Sequence, residues 1–470
     1  MAVIVGGPND YAQKFGPVQA RTYDMGTVVA VSALQGANSY RCVRVTDGTD
    51  VSATHAMPGT ENALAPAFYT ALENAINSGV GVARTSSYIV RFSASTSTFT
   101  ALYTGSVGNG VSIALSAGSK AGTFRAVVSV SSINVRSEVF DNIPFGSGTP
   151  TATSYTLSGG TDGATAITSA EMVGIDVSPR TGMYALRATG CAVAVLADLT
   201  DVTTWSVQSA FGFNEGVLMY VNGANGESIT TATTNKQSAG VDDYSVAVFL
   251  GDYLYFQDQT NQVTRYVAPA GFAGGKRVAL SPNDSVLNKQ LFGIVGSNKE
   301  GVVGTGVLNT YTQADLEAMS LAGIDVICNP APGGSYWACR IGHNSSSDPD
   351  IRSDSYTMMI NFGAKSINGG MGQYVGLPNN ITLQQRAKTT LLSMFSSWVT
   401  TGLISLQADG SVPYSVICDA TNNPQTRTGV GYLTADCKVT FDGIVEEFFV
   451  NLEGGSTVVV GANSQTYVAQ

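Results

Sequence analysis

The apolar positions of this chain change period along its length, and each change marks a different kind of element. Toward the C-terminal end, Leu391, Leu392, Phe395, Trp398 and Val399 recur at helical spacing, which predicts a helix over 381–401. Thr382 and Gln385 fit a capping box at its start, and Gly402 stands where a left-handed stop is wanted. Short strands with turn signals follow, then GIVEEFFVNLEGG at 443–455. In that stretch Ile444, Glu446, Phe448, Val450 and Leu452 share one face of an expected strand, and Val445, Glu447, Phe449 and Asn451 share the other. A short sheet that is apolar on both faces cannot stand alone, and its open edge invites another chain. The region reads as an assembly module.

The first twenty residues read as an extended arm, because Gly6-Gly7-Pro8 and Gly16-Pro17 interrupt any helix. Within it Ala2, Val3, Ile4 and Val5 are apolar or β-branched and have no evident local partner. Strands are expected at 27–32 and 40–45, and a helix at 64–77 with Pro66 in its first turn. From 86 to about 157 the pattern becomes alternating Val, Thr, Ser and Ile between Gly, Asn and Ser turns, which predicts an inserted antiparallel β-domain. LSGGTDGATA at 157–166 closes it. Apolar strands at 191–198, 216–223, 244–251 and 324–330 then alternate with helical stretches, and the run at 191–197 makes Cys191 a core residue. One helix, at 312–322, carries Thr312 and Asp315 as a capping pair and stops at Gly323. Such alternation predicts an α/β layer on a largely parallel sheet. The chain is thereby divided into 1–20, 21–85, 86–160, 161–345 and 346–470, with no repeat of fixed period.

Composition narrows the function classes. A length of 470 residues suits about three domains. Only 12% of residues are charged and 53 are Gly, while 44% are hydrophobic, a balance that fits β-rich, closely packed or capsid-like proteins and argues against disorder. With a net charge of −10 and no Lys/Arg run longer than two, the chain lacks the basic footprint that nucleic acid requires. The N-terminus has no basic and apolar leader pattern, and no apolar run is long enough to span a bilayer, so synthesis and folding in a cytoplasm are expected.

Candidate chemistry is sparse. None of the six cysteines forms a CxxC pair, so they read as small buried hydrophobes, with Cys418 and Cys437 the strand-borne candidates for a disulfide. His343 lies among Ser and Asp in IGHNSSSDPD, which reads as a hydrated loop turning at Asp348-Pro349 and not as a triad, since triad members are gathered by the fold. His55 completes the histidines. GGMGQYVG at 369–376 lacks the strand and helix that would aim N–H groups at a phosphate, and reads as a connector. Asp198 with Asp201, and Asp242 with Asp243, lack calcium-loop spacing and read as solvated carboxylates. Arg386 and Lys388 project from the C-terminal helix, either as a solvated face or as an electrostatic contact to a partner.

Five stretches, in order, resemble the contractile tail sheath family of phages and phage-like injection machines. They are YTGSVGNGVSIALS at 103–116, TLSGGTDG at 156–163, TRYVAPAGFAGG at 264–275, ADLEAMSLAGIDVICNPAPGGSYWACRIG at 314–342 and YVGLPNNITLQQRAKTTLLSMFSSWVTTGLI at 374–404. The resemblance extends over most of the chain. It departs where CRIG stands for the family's usual GaRT, and where the segment after Asn38 is short.

The resemblance implies a structural subunit that assembles as stacked hexameric rings, a helical stack around a tail tube, and contracts to drive the tube through a host envelope for genome ejection. Its partners would be copies of itself, the tail tube protein, and baseplate and tail terminator proteins, with no cofactor, metal, nucleic acid or membrane insertion. It would belong to the virion, assembled in the host cytoplasm. The implied architecture is an inner C-terminal α+β module, a middle α/β domain and the β-insertion outermost. Strands are exchanged between subunits through Ala2, Val3, Ile4 and Val5 and through Ile444, Glu446, Phe448, Phe449, Val450 and Leu452, and Arg386 and Lys388 would meet the tube. An added strand makes about five backbone bonds at ~1 kcal/mol net each, and burial of Phe448 or Phe449 adds about 2–3 kcal/mol. Such linkages should therefore persist as hinges while the domain bodies rotate, with Gly6-Gly7 and Gly454-Gly455 as pivots. A β-rich virion adhesin or receptor-binding protein is the rival reading, and it predicts trimers or monomers in place of tubes.

Overall fold

Two apolar runs, Leu218–Asn222 and Val246–Phe249, are buried at every position. Unbroken apolar sequence is what a strand needs when helices cover both faces of a parallel sheet. These strands are the centre of a four-stranded parallel sheet that extends to Val193–Val195 on one side and Ile324–Asp325 on the other. The computed structural model describes residues 2–57, 66–78, 90–131, 136–144, 154–299, 301–302, 311–329 and 335–446. The alternating pattern thus placed this layer correctly. Helices Trp205–Glu215, Ile229–Ala239 and Gln313–Ala322 accompany it. The last has the expected Thr312 and Asp315 capping box and a left-handed Gly323 at φ 64°. One detail differs: of the 191–197 run only Val193–Val195 is strand, at the sheet edge, and Cys191 is half-buried.

A second, antiparallel sheet follows that the periodicity did not announce. Leu254–Asp258 pairs with Val263–Val267 and with Ile294–Ser297, which pairs with Gly301–Val302. Helix Pro269–Ala279 lies between these strands in sequence and opens on Pro269 at its first turn.

The segment expected as a strand at 27–32 is instead the helix Met25–Leu34. Its valines suggested extended chain, but Asp24 caps it by accepting the Thr27 N–H at 2.8 Å. A helix that is apolar nearly all round has to be buried, and this one packs against Pro269–Ala279. Ser32 Oγ donates to the Gly271 carbonyl at 2.8 Å, and a Cβ on Gly275 would sit 2.4 Å from the Ser32 Cα. Only glycine allows that approach.

The arm is not extended throughout. Val3–Val5 is a strand and Pro8–Phe15 a helix, with Gly7 at the cap and Pro8 in the first turn. Gly6-Gly7-Pro8, expected to break a helix, therefore starts one. Nor is the strand without a local partner, because it pairs antiparallel with Tyr40–Cys42 of the same chain.

The inserted β-region contains Val111–Ala117, Thr123–Val130, Glu138–Pro144 and Ser154–Thr156 in one four-stranded antiparallel sheet, and Thr54–Ala56, Val90–Ser93 and Thr98–Ala101 in a three-stranded one. Its core also takes in Ala53, Met57 and the helix Pro66–Ser78, whose Phe68 meets Phe124 edge-on at 5.1 Å. The division expected at residue 86 had grouped 53–78 with the neighbouring body; apolar burial against this sheet draws that segment in instead.

Candidate assembly surface

The C-terminal region is built on two long helices, Asp354–Met371 and Ile381–Thr400. The second has almost the expected bounds, and Gly402 is left-handed at φ 73°. Its cap differs: Asn380, not Thr382, accepts the Leu383 N–H, at 2.9 Å. The Asn side chain is as good an N-cap as Thr and sits one residue before the first helical position. Leu391, Phe395 and Trp398 are buried as expected, with Leu392 and Val399 packed beside them. The first helix went unforeseen, and GGMGQYVG is its C-terminal end, continuing into the 3-10 turn Gly372–Tyr374.

On this helical platform lies the hairpin Tyr414–Ile417 with Asp436–Val439. Tyr414, Val416, Cys437 and Val439 belong to the cluster around Phe395 and Trp398, while Ser415, Ile417, Asp436 and Lys438 are exposed. Among the described residues each strand pairs only with the other, so both outer edges are open. A two-stranded sheet is marginal alone and is a ready template for added strands. Exposed apolar residues lie on it and in the segments leading into its strands: Ile417, Val412, Val430 and Tyr432. Asn379 Nδ2 donates to the Tyr432 carbonyl at 2.9 Å, which brings the 375–381 turn, with exposed Val375, Leu377 and Ile381, alongside Val430 and Tyr432. Clustered exposed apolar side chains of this kind mark interaction surfaces. Sequence alone pointed to short strands here, but not to which edges stay open.

The expected exchanged residues divide into three groups. Val3, Ile4 and Val5 lie in the N-terminal strand, with Ala2 just before it. Val5 is buried against Tyr11, Val29 and Cys42, whereas Ile4 is 60% exposed. Lys14 Nζ ties the strand to the following helix through the Ile4 carbonyl at 2.7 Å. A cavity of about 270 Å³, lined by Tyr11, Cys42, Met183, Cys191 and Val193 among others, separates this N-terminal unit from the edge of the parallel sheet. Ile444 and Glu446 are not in a strand, and Glu446 lies against His343 and Arg352 of the same chain. Phe448, Phe449, Val450, Leu452 and the pivot Gly454-Gly455 lie outside the described residues.

Arg386 is exposed, as both of its readings require, but Lys388 already faces Asp419 of its own chain at 3.8 Å. Cys418 and Cys437 are free thiols, not a disulfide. The residue opposite Cys437 is Val416, so the two cysteines stand diagonally across the hairpin, and burial raises both thiols above their ordinary range.

The loop expected to be hydrated divides in two: Ser347, Asp348, Pro349 and Asp350 are exposed and turn at Asp348-Pro349 as expected, with the Ile351 N–H donating to the Asp348 carbonyl at 3.2 Å, whereas its first half is buried. His343, Asn344, Ser345 and Ser346 lie inside; Asn344 Nδ2 donates to the carbonyls of Ile351 at 2.7 Å and Ser353 at 3.0 Å, while His343 Nδ1 has no hydrogen-bond partner among the described residues. Nearby, Asp325 accepts from the backbone N–H groups of Val326, Ile341 and Gly342 at 2.7, 3.0 and 2.9 Å. Those bonds favour its charged form, yet burial outweighs them and pushes its carboxyl up to about 6. Because the native carboxyl is raised above its unfolded value of 3.8, the native state holds the proton longer and stability falls as pH rises from about 4 to 6. The fall from this group is of the order of 2–3 kcal/mol. Urea melts across pH 4–7 should show that component in the parent and a flatter profile in Asp325→Asn; identical profiles would refute it.

Asp198 is half-buried and accepts the Tyr23 N–H at 3.0 Å, Asp201 caps a helical turn, Asp242 holds Ser347, and Asp243 accepts the Ser245 N–H at 2.7 Å, so all four carboxylates considered for a cation are used by the fold. Among the described residues no group of three or more His, Cys, Asp or Glu could hold a metal ion, and no helix is long and apolar enough to cross a membrane.

No protein-family model and no curated protein sequence matches this chain. Solved structures do. The sheath tail protein from Listeria innocua aligns over 90% of this chain and 86% of its own, with a TM-score of 0.58 at 13% identity. The chain has the fold of a tail sheath protein. A second sheath tail protein, from Desulfitobacterium hafniense, agrees with that sheath fold over 89% of this chain and 88% of its own, at a TM-score of 0.52 and 13% identity.

Proposed function

We propose that the chain is a structural subunit of a contractile tail sheath, assembling with copies of itself as stacked hexameric rings around a tail tube. In this reading it contracts on a signal from a baseplate and drives the tube through a host envelope, with no catalytic step. The observation that carries it is the sheath fold spanning 90% of the chain, joined to a two-stranded sheet whose edges are both open among the described residues. The open hairpin edges are where strands of neighbouring subunits would add, giving affinity through main-chain bonds and specificity through alternate side-chain pockets.

The N-terminal strand fits this as a stored form of the linkage. Its pairing with Tyr40–Cys42 spans three residues, and the unit carrying it sits over a cavity. Exchanging one three-residue pairing for an equivalent one on a neighbour costs little net free energy, which is the logic of domain swapping. Arg386 is the exposed cation on the platform helix that we assign to tube contact; Lys388, engaged with Asp419, is left as a weaker second. The test is negative-stain microscopy of the purified chain. Hollow tubes or ring stacks of uniform width are expected; monomers or trimers at every concentration would overturn the sheath reading and favour an adhesin.

A further inference from the structure

Glu446 is the last residue described at the C-terminal end, and one loop holds it from two sides. Its Oε1 lies 2.9 Å from His343 Nε2, and its Oε2 accepts from Arg352 Nη2 at 2.7 Å. These partners are 103 and 94 residues earlier in the chain. The loop that carries them is prebuilt. Asn344 cross-braces it by donating to Ile351, Ser353 and Thr357, and the Asn344 N–H donates to the Arg352 carbonyl at 2.7 Å. Directly behind it Asp354 is fixed by Arg277.

The chain leading to Glu446 is attached at its other end, where Phe441 meets Tyr356 edge-on at 5.9 Å. Between the two attachments Asp442, Gly443 and Val445 are exposed, and none of them lies in a strand or helix. A cavity of about 250 Å³ adjoins Glu446 and His343, walled by Leu287, Leu316, Leu321 and Arg340, so there is room beside the chain. A charged residue held bidentately beside exposed Asp442, Gly443 and Val445 fastens that stretch of chain, and charge-assisted bonds of this length are the strong kind.

We infer that His343 and Arg352 form a clamp for the Glu446 carboxylate, which fastens the root of the C-terminal segment to the α/β body and, when opened, lets 442–446 swing while Phe441 and the hairpin stay in place. Its mechanical use, setting the direction in which the segment leaves for a neighbour, rests on the sheath reading; the clamp itself does not. The groups that face it are His343 and Arg352 from the loop, Asp325 behind the imidazole, and Arg340 and Glu317 across the cavity. His343 first, then Arg352, keep the Glu446 carboxyl below its ordinary range, so the fastening is present above that range and is lost as pH falls through the lowered value.

The test uses the full-length free chain with a nitroxide at Val445→Cys, in a background where the half-buried Cys191 and Cys437 are replaced by serine. Spin-label mobility is then compared in the parent, Glu446→Gln, Arg352→Gln and the double variant. A restrained label in the parent, mobilised several-fold by either single change and no further by both, is expected. A label that is already mobile in the parent, or unchanged in both single variants, would overturn the clamp. A second label at exposed Lys438 reports whether the hairpin fold is intact, and Arg352, a third exposed, can be changed without opening the core. Tubes that never form would defeat the sheath reading and leave this result standing, and an unmoved label would do the reverse.

Discussion

Replacing Asp354 with alanine is expected to lower stability by about 3–5 kcal/mol, because it strands a buried guanidinium. Arg277 and Asp354 are 0% and 1% exposed at their side chains and meet at 3.3 Å. Arg277 also donates to the carbonyls of Ser281 and Asp284, closing the turn after its helix, while Asp354 accepts the Val286 N–H at 3.1 Å. The pair thus joins the last turn of Pro269–Ala279 to the first turn of Asp354–Met371, which is where the body meets the C-terminal platform. Removing one partner leaves the other buried without its counter-charge, with only neutral backbone groups to bond, whereas replacing both with apolar residues of similar volume removes the desolvation cost along with the attraction. Arg277→Met with Asp354→Leu should therefore cost clearly less than the sum of the two single changes. Urea midpoints at constant slope would measure this. A single change costing under about 1 kcal/mol would mean the pair is not desolvated as its burial implies.

Truncating Phe395 to alanine is expected to cost about 3–5 kcal/mol and to unseat the hairpin. Phe395 is 1% exposed, with Trp398 edge-on at 5.1 Å and Tyr414 at 5.5 Å. It is the point at which the platform helix touches the two-stranded sheet, and that sheet has no other layer among the described residues to rest on. A cavity there should loosen the strands before it melts the α/β body. Hydrogen exchange at 414–417 and 436–439 should accelerate well before exchange at 218–222 and 246–249. On the sheath reading, tube formation should fail in the same variant while the body remains folded. Uniform loss of protection across the chain would show instead that the platform and body unfold as one unit.

Legibility of the fold followed how local the deciding forces were. The buried parallel strands, the 313–322 helix with its capping box, and the heptad-like face of the C-terminal helix were readable because burial and capping leave their signature within a few residues. Helix Met25–Leu34 was misread because its valines carry strand propensity, and only its seat against Pro269–Ala279 overrides that preference. Antiparallel strands 254–258 and 263–267 escape the pattern because Tyr255, half-buried, and Tyr266, exposed, put aromatic rings on the outward face, where they stack at 4.0 Å across the hairpin. For the assembly surface the pattern singled out the right region but not its partners. That Glu446 turns in to His343 and Arg352, and that Val3–Val5 finds Tyr40–Cys42, depends on contacts between residues tens to a hundred positions apart.

The amino-acid sequence by itself determined a β-rich, mixed chain with a parallel α/β layer, an inserted β-region and a C-terminal helix with strands that call for company. Those are matters of periodicity, capping and composition, which act over short stretches. Tertiary structure alone decided which strand edges stay open, which charges are buried as pairs, and where the C-terminal segment is fastened. Each of those depends on which surfaces meet in space, and the chain's local pattern carries no record of that.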